Sequence, residues 1–424
     1  MLKENQIYLR KFNRIAISKS ATMSAFSLQS VLSYFIIIVS ISPYELFISN
    51  WVYGVLAGGW IIVTAILDAA GLYSAFIGVN GKNTIIYLWV LYRLLASLLG
   101  HAQFAIETLM VIFILQMFWY YSANIRMLKR QAVVALSYYA LIVINSIFRL
   151  LENSMISREL AGASFEHAGI FMANFSSVYS VVFLCLALII LLLTSKSLAR
   201  MGRICTVLGL IAGSTMLVLA QYTIALLIYI SFAIIFAIIL TPTHVRLKMA
   251  IALIIVFIIS FLLIIPMLDS SFVSQTEAKL QFLLNRATQV EDFVFGRDIN
   301  SLGVRPTLYN NSFSTFLENP LWGAGNYIQD RSIVGEHSEV FDTLARYGLV
   351  GFMCFAMSFG VNLKKIMKSL GKSAHFSLLY LSYALFLFLN PGLHMADSFT
   401  LFYLVPALFL VWGKNDSKIM RSVI

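Results

Sequence analysis

The sequence predicts an all-α fold: a polytopic helical membrane protein of about 12 transmembrane helices with one large external loop. Three observations predict it. Hydrophobic residues make up 60% of the chain and charged ones only 12%, with a mean hydropathy of +0.86, whereas a soluble domain carries about 25% charged residues. Apolar runs of span length recur from one end to the other, and a hydrocarbon core of about 30 Å needs roughly 20 such residues per helix. Lys and Arg alternate in abundance from one connection to the next, the pattern that orients membrane helices.

The runs that meet the length requirement are 24–42, 51–70, 84–100, 104–122, 132–148, 170–194, 204–219, 222–240, 249–266, 339–361, 376–390 and 398–413. Those at 204–219 and 376–390 are short, and 339–361 carries charges. With the N-terminus placed in the cytoplasm, 21 of the 30 Lys and Arg fall in cytoplasmic segments and seven outside, while Arg93 and Arg346 lie within spans. This bias puts both termini in the cytoplasm. It also accounts for most of the net charge of +11, since these residues meet anionic lipid headgroups. Nucleic acid is therefore not a partner. The basic segment 1–23 reads as the arm of a retained first helix. Cys185, Cys205 and Cys354 all lie in apolar runs and make no disulfide scaffold.

The chain divides into helices 1–9 over residues 1–265, an external cap over 266–338, and helices 10–12 over 339–424. No repeat of fixed period is visible, and the two halves do not mirror one another. The cap is too rich in aromatic residues (Phe272, Phe282, Phe293, Phe295, Tyr309, Phe313, Phe316, Trp322, Tyr327) for a solvated tether. Its stretches 276–295 and 307–318 read as amphipathic helices suited to a membrane surface. The external segment 149–169 is the next longest.

Five of the seven outward cations sit in the cap: Lys279, Arg286, Arg297, Arg305 and Arg331. Guanidinium groups grip phosphate through paired hydrogen bonds, although Asp269, Glu277, Glu291, Asp292, Asp298, Glu318 and Asp330 share the loop and offer ordinary ion pairing. The stretch 335–348, GEHSEVFDTLARYG, marks the return into the membrane. Ser338 is placed to cap a helix, with Glu339 in its positive first turn. Glu339, Asp342 and Arg346 share a face, and Asp342 and Arg346 have ion-pair spacing. His337 then stands at the boundary between cap and membrane, where an imidazole can serve as a general base or merely titrate. The acid and histidine grouping matches no metal-ligand spacing. Gly323-Ala324-Gly325-Asn326 lacks the full dinucleotide fingerprint and a preceding strand. Arg93 and Glu107 flank a tight turn within the membrane and are expected to pair. Asp68 and Asp397 fall near span ends.

These features together resemble the O-antigen polymerase and O-antigen ligase superfamily of bacterial surface-polysaccharide enzymes. The resemblance rests on the span count, on the position of the largest external loop, and on a motif series through 305–351. That series runs Arg305, Tyr309, Glu318-Asn319-Pro320-Leu321-Trp322-Gly323-Ala324-Gly325, Glu336-His337-Ser338 and Tyr347-Gly348-Leu349-Val350-Gly351. The N-terminal two thirds match only as hydrophobic helices.

The resemblance implies a metal-independent glycosyltransferase of the bacterial inner membrane, without a cofactor, whose active site faces the periplasm. Its donor would be a glycan on undecaprenyl pyrophosphate and its acceptor a lipid-linked sugar; a chain-length regulator is compatible with this. His337 would activate the acceptor hydroxyl and Arg305 would bind the pyrophosphate, with Glu336, Glu339, Asp342 and Arg346 supporting them. Family members often carry Ser-Arg at the outer start of a middle span. This chain reads Ala220-Gln221-Tyr222-Thr223 there, so either Arg297 or Arg286 substitutes for the missing cation or the alignment slips. His-Ser followed by Asp342 and Tyr347-Gly348 is closer to the polymerases than to the ligases, which more often show His-Asn. A lipid-linked oligosaccharide flippase is the alternative from another class. It is disfavoured by the lack of repeats and of broken helices, both common in transporters.

Overall fold

The computed structural model describes residues 27–41, 50–78, 84–99, 106–152, 174–195, 198–220, 222–240, 305–325, 332–370, 373–392 and 395–412. Among them twelve helices and no strands are found. These are α1 (Leu28–Ile41), α2 (Asn50–Phe76), α3 (Thr84–Leu98, opening with one 3₁₀ turn), α4 (Ile106–Ser122), α5 (Ile125–Glu152) and α6 (Phe175–Thr194). Then come α7 (Arg200–Ala220), α8 (Thr223–Leu240), α9 (Arg305–Glu318), α10 (Glu339–Leu370), α11 (Ser373–Leu389) and α12 (Met395–Trp412). Every expected span inside the described residues is met by a helix, whereas 249–266, the amphipathic stretch 276–295, Arg286 and Arg297 lie outside them. The protein is a helical membrane protein, and α2, α5, α6, α7, α10 and α12 are each long and apolar enough to cross a bilayer.

Position in the bundle follows from how far around each helix the apolar residues extend. A helix that is hydrophobic on all sides belongs in the interior. The apolar windows of α6 and α12 are 83% and 89% buried, and α12 includes a π-helical turn at Thr400–Leu404. The window of α2 is only 17% buried, and its Val55, Ile62 and Ile66 face outward. Small residues allow close approach where lipid supplies no hydrophobic drive. A Cβ on Gly213 of α7 would stand 2.4 Å from the Cys185 sulfur of α6.

Polar side chains inside the bundle pair across helices. Gln29 donates to Thr64 and to the Tyr120 hydroxyl at 2.7 and 3.1 Å, Trp60 donates to Tyr121 at 2.9 Å, and Gln131 donates to Ser33 at 2.9 Å. Bonds of this kind contribute on the order of 0.6 kcal/mol each and fix which helices adjoin.

Two helices are broken, contrary to the expectation of uninterrupted spans. At Asp68 the backbone of α2 leaves helical geometry (φ −152°, ψ 65°). Its carboxylate accepts from the Gly71 amide at 3.0 Å and from the Tyr120 hydroxyl at 3.2 Å, so the break supplies its own hydrogen bonds. At Gly348, α10 adopts φ 64° and ψ −170°, a region open essentially to glycine alone.

Candidate active site

The break at Gly348 gives the motif series a structural meaning. Interrupting a helix frees backbone groups that must find other partners at membrane depth. Here the turn after α9 supplies them. Ala324 and Gly325 donate to the carbonyls of Ala345 and Arg346 at 2.8 and 3.0 Å, while Leu349 and Val350 donate to those of Pro320 and Leu321 at 2.8 and 3.2 Å. The freed Tyr347 carbonyl accepts from the Tyr92 hydroxyl of α3 at 2.8 Å. Backbone packed this closely leaves no room for side chains. A Cβ on Gly348 would lie 2.3 Å from the Leu321 carbonyl oxygen, and one on Gly323 would lie 2.4 Å from the backbone of Arg346 and Tyr347. The glycines of 323–325, unsuited to a dinucleotide, thus form a clamp around the break.

The same clamp places α9 against the start of α10. Tyr309 donates to the Leu389 carbonyl at the end of α11 at 2.8 Å, and Thr315 donates to the Ile333 carbonyl at 2.6 Å. Between them the fully buried Ser312 donates to the Asp342 carboxylate at 2.6 Å and accepts from the Gly335 amide at 2.9 Å. Three hydroxyls at three-residue spacing therefore staple one face of α9 to the end of α11, to the first turn of α10 and to the segment before it.

His337 sits at the centre of that segment. Ser338 caps α10 as expected, accepting from the Phe341 amide at 3.2 Å. Asp342 does more than its helical spacing suggests. Its carboxylate accepts from the Glu336 amide at 3.2 Å and from the Ser338 amide at 3.0 Å, the residues on either side of His337. The expected pair between Asp342 and Arg346 does not form. Arg346 instead holds Glu336 at 2.6 Å, because Asp342 is turned toward the backbone amides and Ser312. Glu336 itself has a φ of 57°, costly for a non-glycine residue by roughly 1–3 kcal/mol. Bonds from its amide and its carboxylate hold it there. Glu339 faces away, accepting from the Gly392 amide at 3.1 Å and tying α10 to the end of α11.

The imidazole Nδ1 lies 3.1 Å from the Gly335 carbonyl. A carbonyl only accepts, so a hydrogen bond here has Nδ1 as its donor, and the tautomer that makes it holds its lone pair at Nε2. His337 is half-buried. Arg305 opens α9 one turn before Leu308, whose carbonyl would stand 2.2 Å from a Cβ on Gly335. The helix start bearing Arg305 and the loop bearing His337 are thus brought to the same junction; the Arg305 side chain lies outside the described residues. Among the described residues no three His, Cys, Asp or Glu side chains gather closely enough to hold a metal ion.

Residues 208–356 match the family model of the O-antigen ligases. The match covers 149 of the 424 residues and supports the resemblance to the O-antigen polymerase and ligase superfamily. The match runs from within α7 to within α10 and so includes α9, the clamp and the His337 segment. Curated proteins provide no match. Proteins of this superfamily are membrane enzymes of the polymerase and ligase type.

Sequence reading passed over Ser312 and left the structural parts of Gly335, Arg93 and Asp397 unread. Ser312 and Gly335 carry no chemical signal as letters, yet they join α9 to the His337 segment. Arg93 is buried, and its guanidinium stacks on Trp89 at 5.6 Å and on Tyr347 at 5.2 Å, beside the clamp. The side chain of Glu107, its expected partner, lies outside the described residues. Asp397, set aside as near a span end, is fully buried in α12.

Proposed function

We propose that this chain is an O-antigen polymerase. It would transfer a growing glycan from undecaprenyl pyrophosphate to a lipid-linked repeat unit at the periplasmic face of the inner membrane. The observation that carries the reading is the bracketing of His337: Asp342 binds the amides on both sides of it, and the ring's Nδ1 contact leaves Nε2 as the basic nitrogen. A sugar hydroxyl is a weak nucleophile, and a positioned base typically contributes 10²–10⁴-fold. Nε2 would take the acceptor proton as the hydroxyl oxygen attacks the anomeric carbon. The bond from that carbon to the diphosphate oxygen breaks, and the leaving group carries away the electron pair. Arg305 would meet the growing negative charge, with Arg297 or Arg286 as the second cation; fixed donors do this without reorganisation. On this reading the reaction needs no metal.

Polymerase is favoured over ligase by Ser338 following His337, a position where the hydroxyl caps α10. A flippase is disfavoured by the breaks themselves. Transporters use broken helices to line a substrate path, whereas the break at Gly348 is filled by the turn after α9 and that at Asp68 by its own carboxylate.

The deciding experiment incubates purified protein with lipid-linked repeat units, with and without a lipid A core acceptor. A polymerase gives a ladder of longer lipid-linked glycans in both arms. Product formed only when lipid A core is present makes the chain a ligase, and no product in either arm removes the enzymatic reading. Asp342→Asn sharpens the test. The amide group cannot accept from both flanking amides, and leaving a partly buried N–H unpaired costs about 1–3 kcal/mol. Chain extension is expected to fall about tenfold to a hundredfold at unchanged protein abundance. Glu336→Gln, which weakens a partly exposed pair worth about 0–1 kcal/mol, should cost at most about fivefold.

A further inference from the structure

The cap helix α9 is built inside-out for a helix in water. Its inward face is pinned by hydroxyls, with Ser312 and Thr315 buried. Its outward arc divides along its length. One edge carries Phe313 and Leu317, 43% and 59% exposed, while Thr307, Ser314 and Glu318 occupy the other. Beyond the helix the apolar edge continues into Leu321 and Trp322, 57% and 60% exposed.

What covers this edge follows from what it adjoins. Leu321 and Pro320 are hydrogen-bonded through their carbonyls to Val350 and Leu349 of α10. From Leu349 an exposed apolar stripe descends α10 at helical spacing through Met353, Met357 and Val361. In a helix of this length and hydropathy, such a stripe faces lipid. The other end of the edge joins a second stripe, because Phe313 packs on Phe341 at 6.2 Å and Phe341 on Phe388 at 6.1 Å, and Phe388 tops the exposed row Leu381 and Leu385 of α11.

The level is set as well. Beyond its break at Gly348, α10 runs from Leu349 to Leu370, about 33 Å at 1.5 Å per residue, which alone covers a hydrocarbon core of about 30 Å. Its polar opening turns (Glu339, Asp342, Arg346) must therefore stand outside that core. Its apolar part begins near Gly348, where the turn after α9 is clamped.

We propose that α9 and the turn following it lie in the headgroup–acyl boundary of the bilayer. Phe313, Leu317, Leu321 and Trp322 rest on lipid, and the Thr307–Ser314–Glu318 edge faces water. Aromatic residues concentrate at this boundary, and a helix lying in it is held by its apolar face alone. The seat has a consequence for the site. The opposite face of α9 bonds Asp342 and Gly335, so lipid contact and the position of the His337 segment are linked through one rigid helix. Chemistry at that segment would occur at headgroup depth, where a lipid diphosphate lies. The inference rests on the membrane spans alone and stands or falls apart from the enzymatic reading.

The test uses the full chain in lipid vesicles with Cys205→Ser and Cys354→Ser, Cys185 being buried. Nitroxide labels are attached at Leu317→Cys and, as the contrasting position, Ser314→Cys, and collision rates with oxygen and with a water-soluble nickel chelate are measured. The expected result is a shift toward oxygen at Leu317, at a depth near the headgroups, and toward nickel at Ser314. Dominance of nickel at both positions would overturn the proposal. So would an immobilised Leu317 label reached by neither reagent, which would mean that protein covers the edge, whether another segment of this chain or a second copy.

Discussion

His337→Ala stops chain extension while the protein remains inserted and abundant. The expectation follows from separable roles. The fold of the segment depends on backbone amides meeting Asp342, on Gly335 meeting Ser312 and on the Ser338 cap, none of which needs the imidazole. Only the Nδ1 contact to Gly335 is lost. A neutral hydrogen bond of that kind contributes about 0.5–1.5 kcal/mol, too little to unfold the bundle. Removing a positioned base costs about 10²–10⁴-fold in rate, which erases long-chain product. Arg305→Ala is expected to behave alike, because the diphosphate would lose a charged partner at the same junction. Gel analysis of surface polysaccharide beside a membrane blot measures both quantities. Normal long chains from either variant would remove that residue from the mechanism. In a polymerase-defective strain, single repeat units still reach the lipid A core and give one ladder rung; a flippase defect gives none.

Gly348→Ala carries the second large effect, and here stability falls with activity. Alanine at φ 64° and ψ −170° is strained by roughly 1–3 kcal/mol. Its Cβ would also meet the Leu321 carbonyl oxygen at 2.3 Å. Backbone on both sides is held by four hydrogen bonds, so relief requires opening the clamp. Opening it exposes amides and carbonyls in a poorly hydrated place, at about 1–3 kcal/mol for each group left unpaired. Thermal unfolding in detergent should show a clear fall in Tm, and chain extension should be lost as α9 separates from α10. Gly360→Ala, on the same helix with open space around its Cβ position, serves as the comparison and should leave both unchanged. Wild-type stability in Gly348→Ala would mean that the clamp does not hold the site.

The span map was legible because hydropathy over 20 residues averages away local detail. The cap of α10 was legible too, since Ser338 followed by Glu339 states its chemistry in adjacent letters. What escaped was whatever depends on two distant segments meeting. The Asp342 carboxylate could satisfy Arg346 on its own helix or the amides of the preceding loop, and spacing alone favours the helix. The tertiary contact with Ser312 of α9 tips it the other way. The breaks were hidden for a related reason. A glycine or an aspartate inside an apolar run reads as a tolerated interruption until its partner, the turn at 319–325 or Tyr120, is brought alongside. Asp397 was underrated because distance along a span was read as depth, whereas its burial is set by the neighbouring helices. The resemblance pointed to the motif series but not to its physical cause, which is that two of its pieces hydrogen-bond to each other.

The central claim is that a lipid diphosphate meets the His337 segment beneath the start of α9. A diphosphate lipid bearing a photoreactive diazirine beside its phosphates tests it directly, by mass spectrometry of the labelled peptides after illumination in vesicles. The account predicts labelling in 305–318 and 332–342, suppressed by excess unlabelled lipid diphosphate. Competable labelling confined to helices away from that junction would contradict it.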